Sequence, residues 1–140
     1  MILDASVLLS AFFPDEAQPQ AQALLRQHAS GRMRLKAPEL LLYEVSNAVW
    51  QAERRGRIAE AQAAEILQTA AALNIDLLPL EWGEMLPMAR RFERSAYEAA
   101  YLTLAERFAE PFVTGDKRLY NAVHPNMDWV IWIGNYSKEQ

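Results

Sequence analysis

Met1-Ile2-Leu3-Asp4-Ala5-Ser6 decides how this chain is read: a short apolar run ends in an aspartate, and the residues behind it open a helix. The pattern returns at Pro111-Phe112-Val113-Thr114-Gly115-Asp116. In an open parallel sheet the carboxyl ends of the strands form the functional crevice, so two such strands can aim distant carboxylates at one point. Two further acids, Glu44 and Glu98, fall in apolar helical stretches, where a solvated charge is not the first expectation. These four positions together read as an acidic metal pocket.

Working outward, strands and helices alternate. Met1 to Asp4 is the first strand, Val7 to Phe13 a short helical turn closed by Pro14, and Asp15 the expected cap of a helix reaching Ala29, with Pro19 tolerated near its first turn. Arg32 to Ala37 alternates basic and apolar residues with the period of a strand. Pro38 then opens a helix that ends at Gly56, and a second from Ala59 to Leu73 completes a helical hairpin. Ile75 to Leu80 is a strand, Trp82 to Arg94 a helix bent near Pro87, and Ser95 caps a helix reaching Phe108. Pro111 to Thr114 is a strand, Lys117 to Val123 a short helix, and Trp129 to Ile133 the last strand. Repeated strand-then-helix order implies right-handed crossovers, hence an α/β fold with a parallel sheet of about five strands and helices on both faces.

The composition bounds the function. With 140 residues, the chain has the length of one domain able to bury a core without staples. It holds no cysteine, which excludes disulfides, thiolate metal sites and cysteine nucleophiles, and its two histidines, His28 and His124, make a histidine-rich zinc site a poor reading. A net charge of -4 argues against a nonspecific nucleic-acid binder held by a broad basic surface, while leaving room for an enzyme that grips a phosphodiester through metal ions. A strand at the first residue leaves no leader segment, and no apolar stretch approaches the ~20 residues of a membrane span. No membrane association and a cytoplasmic location are therefore expected.

Each acid has a plain alternative. Asp4 and Asp116 are placed to cap the helices that follow them, and Ser6 and Thr114 suit ordinary turn hydroxyls. Glu44 can be a boundary glutamate reaching water. Ser95-Ala96-Tyr97-Glu98 matches a capping box, in which the glutamate returns to the cap amide. The combination favours chemistry: two acids at strand ends and two near helix starts are what a doubly wound sheet can gather at one edge. Clustered carboxylates repel unless protons or cations neutralise them, and ligands that are all oxygen favour Mg2+ or Mn2+.

At these residues the chain resembles a known family, the PIN-domain ribonucleases, and in particular the VapC-type toxins of bacterial toxin-antitoxin pairs. The likeness runs over nearly the whole chain. It is carried by Ile2-Leu3-Asp4-Ala5-Ser6-Val7-Leu8-Leu9, by Pro38-Glu39-Leu40-Leu41-Leu42-Tyr43-Glu44-Val45-Ser46-Asn47-Ala48, by Ser95-Ala96-Tyr97-Glu98-Ala99-Ala100-Tyr101-Leu102, and by Val113-Thr114-Gly115-Asp116-Lys117-Arg118-Leu119. The resemblance implies a single PIN-like domain over 1–140 that cleaves RNA with Mg2+ or Mn2+. Asp4, Glu44, Glu98 and Asp116 become catalytic metal-site acids, Thr114 the hydroxyl that orders them, and Ser6 and Asn47 lesser supports. It also implies a small antitoxin partner and a homodimer.

Two departures stand out. Glu98 occupies a place where the family usually has aspartate, and Lys117 and Arg118 stand where some relatives carry another acid. Lys117 and Arg118 are the preferred RNA contacts; Arg54, Arg55 and Arg57, or Arg90, Arg91 and Arg94, are others, and a solvated helix face is the ordinary reading for any single arginine. Two other classes compete: a PIN-fold module weakened at Glu98 that binds antitoxin or RNA without cleavage, and a phosphoacceptor domain. The phosphoacceptor reading lacks an acidic pair after the first strand, where Ala5 and Ser6 follow Asp4.

Overall fold

Ile2 and Leu3 are both fully buried, as a strand covered on both faces requires, and they form β1 at the centre of a five-stranded sheet. The structure is a computed structural model that describes residues 1–137; the expected unit over 1–140 ends outside the described residues. The other strands are β2 (Lys36–Pro38), β3 (Asp76–Leu78), β4 (Phe112–Thr114) and β5 (Val130–Trp132). All pairs are parallel, in the order β3-β2-β1-β4-β5.

The helices are α1 (Ala5–Phe12), α2 (Pro19–Ala29), α3 (Leu40–Arg54), α4 (Glu60–Ala72), α5 (Leu86–Phe92), α6 (Ala96–Phe108) and α7 (Lys117–Val123). The chain moves outward from β1 to β2 and β3, then returns to place β4 on the other side of β1. With right-handed crossovers this reversal puts α1 to α4 on one face and α5 to α7 on the other. The packing agrees, since α1 lies against α3, while α6 lies against β1, β2 and β4. The reversal also makes the carboxyl ends of β1 and β4 the switch point of the sheet, where ligands bind in open α/β folds. Among the described residues, no helix is long and apolar enough to cross a membrane.

Several expected boundaries move. Arg32 and Met33 lie in a bend, Arg34 and Leu35 in no regular element, and β2 begins at Lys36. There the ladder starts, with Lys36 N donating to Met1 O, while Arg34 turns outward to Asp76. Alternation was a misleading signal, because a strand sandwiched between helix layers buries both faces. Pro38 closes β2 instead of opening α3; its missing N–H falls on the β1 side, where β1 has already turned into α1. Asp15 does not cap α2: Gln18 does, its Oε1 accepting from Ala21 N at 2.7 Å, with Pro19 in the first turn. Asp15 instead accepts two hydrogen bonds from Arg57. The helix expected from Trp82 is confined to α5, because Pro87 has no N–H to give a preceding turn and so sits at the helix start.

Candidate functional site

The register of the central strands builds the site. Leu3 pairs with Val113, so the next residues, Asp4 and Thr114, meet at the carboxyl edge. Thr114 Oγ1 donates to Asp4 Oδ2 at 2.6 Å, and Asp116 N donates to Thr114 Oγ1 at 3.0 Å. On the other side Asp4 Oδ1 accepts from Ser6 N at 3.1 Å and from the Ser6 hydroxyl. Ser6 Oγ in turn accepts from Gly115 N at 2.7 Å. The result is a closed network stitching two adjacent strand ends. Gly115 lets the strands approach closely, because a Cβ there would stand 3.1 Å from Ser6 Oγ and press on the hydroxyl that holds Asp4.

The capping alternatives are also true. Asp4 is the N-cap of α1, and Asp116 caps α7 by accepting from Leu119 N at 3.1 Å. Capping fixes both carboxyl groups without exhausting them, since a carboxylate has about four acceptor positions.

Glu44 reaches this edge from α3, half-buried, and its Oε1 accepts a hydrogen bond from the phenol of Tyr101 on α6. Burial and the neighbouring Glu44 push the Tyr101 pKa up, so the phenol stays a donor. Tyr101 is itself held by stacking on Phe112, with ring centroids 5.9 Å apart. Tyr101 carries no site role in the sequence pattern; the available signal is that a buried tyrosine hydroxyl needs a polar partner.

Asp4 is buried, and its pKa is raised from 3.8 to about 6. Burial is the main cause and the charge of Glu44 adds to it, against the hydrogen bonds from Ser6 and Thr114. The pair therefore holds negative charge in a place that resists it, a demand that a divalent cation on oxygen ligands would meet.

Glu98 is placed differently. Ser95 caps α6 as expected, accepting from Glu98 N at 3.1 Å, but the Glu98 carboxylate turns to Arg94 Nε at 2.8 Å. Among the described residues, no three acids or histidines converge closely enough as they stand to form a metal cluster. Asp4, Thr114, Ser6 and Asp116 are joined by hydrogen bonds, Asp4 and Glu44 by electrostatics, and Glu98 is engaged by Arg94. Asn47 is exposed one turn beyond Glu44, and Lys117 and Arg118 are exposed beside Asp116. The Lys117 ammonium lies 3.8 Å from the Trp132 ring centroid.

A family model described as "PIN domain" matches residues 1–124. The chain is 28% identical over 123 residues to Ribonuclease VapC3 of Pyrobaculum aerophilum, covering 85% of this chain and 91% of that protein. It is 30% identical over 119 residues to Ribonuclease VapC9 of Mycobacterium tuberculosis, covering 85% and 87%. The crystal structure of PAE2754 from Pyrobaculum aerophilum superposes with a TM-score of 0.73 at 25% identity, over 95% of this chain and 83% of that one. A domain-length family match, a parallel sheet with its switch point at β1 and β4, and a buried Asp4 locked by Ser6 and Thr114 at that point agree: this chain belongs to the PIN-domain family.

Proposed function

We propose that this chain is a divalent-metal-dependent endoribonuclease and the toxin of a type II toxin-antitoxin module, acting in the cytoplasm. The observation that carries the reading is the buried Asp4 carboxylate, locked by Ser6 and Thr114 beside Glu44 at the switch point. Ribonuclease VapC3 and Ribonuclease VapC9, similar over 85% of this chain, support RNA as the substrate.

Asp4, Glu44 and Asp116 would hold Mg2+ or Mn2+, with Glu98 as the fourth acid. When bound, such an ion lowers the pKa of a coordinated water and offsets charge developing on a phosphoryl oxygen. The protein supplies the positioning. Thr114 and Ser6 fix the two oxygens of Asp4, and the Tyr101 phenol fixes one oxygen of Glu44 and leaves the other available as a proton acceptor. Lys117 and Arg118, beside Asp116, would contact RNA phosphates. A small antitoxin would block this edge, and the active species would be a homodimer.

The test is incubation of metal-free protein with total RNA, with and without Mn2+, alongside Asp4→Asn. Fragments that need the metal and vanish in the variant are expected, together with a Mn2+-dependent rise in wild-type Tm that the variant lacks. Cleavage by the variant overturns the assignment of Asp4. A second reading, a PIN module that binds RNA or antitoxin without cleaving, draws on the engagement of Glu98 by Arg94. An inert wild type that nonetheless binds RNA would favour it.

A further inference from the structure

A cleft runs between α1 and α3 away from the switch point. Its near wall is Ser6, which holds Asp4, and Gly115, which donates to Ser6, and its far end is formed by Gln51, Arg55 and Arg57 at the α3 exit with Glu16 of the α1–α2 loop. The volume is about 360 Å³, within the ~300–1,000 Å³ of small-ligand sites. From Ser6 to Phe13 the wall is two helical turns, roughly 10 Å at ~1.5 Å per residue.

The charges at the far end are sorted by hydrogen bonding. Arg57 binds Asp15 at 2.7 and 2.8 Å and Glu16 at 2.6 Å, and its guanidinium lies 4.2 Å from the Phe13 ring centroid. Glu16, the carboxylate of the cleft lining, and its neighbour Asp15 are thus both engaged by Arg57. Arg55 sits exposed in the cleft lining with its charge left to solvent or ligand. A groove that begins at Ser6, beside the acids proposed to hold the metal, and ends at a guanidinium without a carboxylate partner fits a strand whose reacting phosphate lies at those acids and whose neighbouring phosphate needs a cation.

Resting on the ribonuclease reading above, we propose that the α1–α3 cleft seats the RNA strand next to the cleavage point and that Arg55 holds one of its backbone phosphates. Arg57 is the clip that keeps the acids away from it. A phosphate contact of this kind binds substrate and transition state alike, so it acts on KM rather than kcat.

The experiment compares wild type, Arg55→Gln and the charge-matched control Arg26→Gln, which lies in the last turn of α2 where the chain feeds the amino end of β2. Binding of a single-stranded RNA oligonucleotide is measured by fluorescence anisotropy in metal-free buffer across a salt series, and cleavage with Mn2+ is measured in parallel. Arg55→Gln is expected to weaken binding about tenfold at low salt, to reduce the salt slope by about 0.7, and to raise KM with kcat unchanged; Arg26→Gln should match wild type. Unchanged affinity and slope in Arg55→Gln overturn the inference whether or not the wild type cleaves. An inert wild type with Arg55-dependent binding overturns the ribonuclease reading and leaves the cleft as an RNA seat.

Discussion

Asp4 serves structure and chemistry with one carboxyl group, and the conflict between the two is measurable. It caps α1 and anchors Thr114, yet it is buried beside Glu44 and titrates at about 6 instead of 3.8. Between those values the native metal-free chain keeps a proton that the unfolded chain has released, so stability rises as pH falls from 7 toward 4. Asp15, Asp76 and Glu84 work in the opposite sense: hydrogen bonds from Arg57, Arg34 and Arg107 hold them below the ordinary range, so their contributions persist above it and fade only under more acidic conditions. Thermal denaturation of metal-free protein between pH 4 and 7 should show the rise, and Asp4→Asn, which cannot ionise, should flatten it. Tyr101 gives a second residue-level expectation. Tyr101→Phe removes the hydrogen bond that orients Glu44 while keeping the ring stacked on Phe112. A hydrogen bond to a charged group is worth ~1.5–3 kcal/mol, so kcat should fall about 10- to 100-fold with KM and far-UV circular dichroism unchanged.

The elements are held together by contacts that no local pattern announces. His28 of α2 accepts from Leu35 N through Nδ1 at 3.0 Å and donates from Nε2 to Leu73 O at 2.6 Å, joining the approach to β2 to the end of α4. This arrangement requires the neutral ring with its proton on Nε2. Replacing the ring by an apolar side chain strands a buried donor and an acceptor. His28→Leu should therefore cost ~2–4 kcal/mol, read in urea as a lower midpoint with an unchanged slope. The identity and order of the elements were legible from periodicity and turn residues, as α7 and the Ser95 cap of α6 illustrate. Boundaries were legible where a side chain acts on its own backbone. They shifted where a competing partner intervened: Asp15 was drawn from capping α2 to Arg57, and Arg34 from the strand to Asp76. Arg94 and Glu98 stand four residues apart, the spacing of a helical ion pair, so that engagement was readable too.

On the scale of the whole molecule, the surface carries apolar groups that a small isolated domain has little reason to expose. Trp82, Tyr97, Tyr43, Leu42 and Leu86 are all open to solvent. Aromatic exposure of this kind is enriched at interfaces, and the proposed homodimer predicts a doubled mass by light scattering at micromolar concentration, reduced to one chain when Trp82 and Leu86 are replaced by serine. A single-chain mass for the wild type would remove the dimer from the proposal. The sequence by itself determined that strands and helices alternate and that Asp4, Thr114 and Asp116 fall where two strands end, because periodicity and turn chemistry act over a few residues. Strand order was beyond it. Only the tertiary structure decided that β4 lies beside β1, which brings Thr114 to Asp4 across 110 residues and Tyr101 to Glu44 across 57. The same packing carried Arg57 to Asp15 across 42 residues and left Arg55 in the cleft, since side chains distant in sequence acquire partners only after the sheet has set their positions.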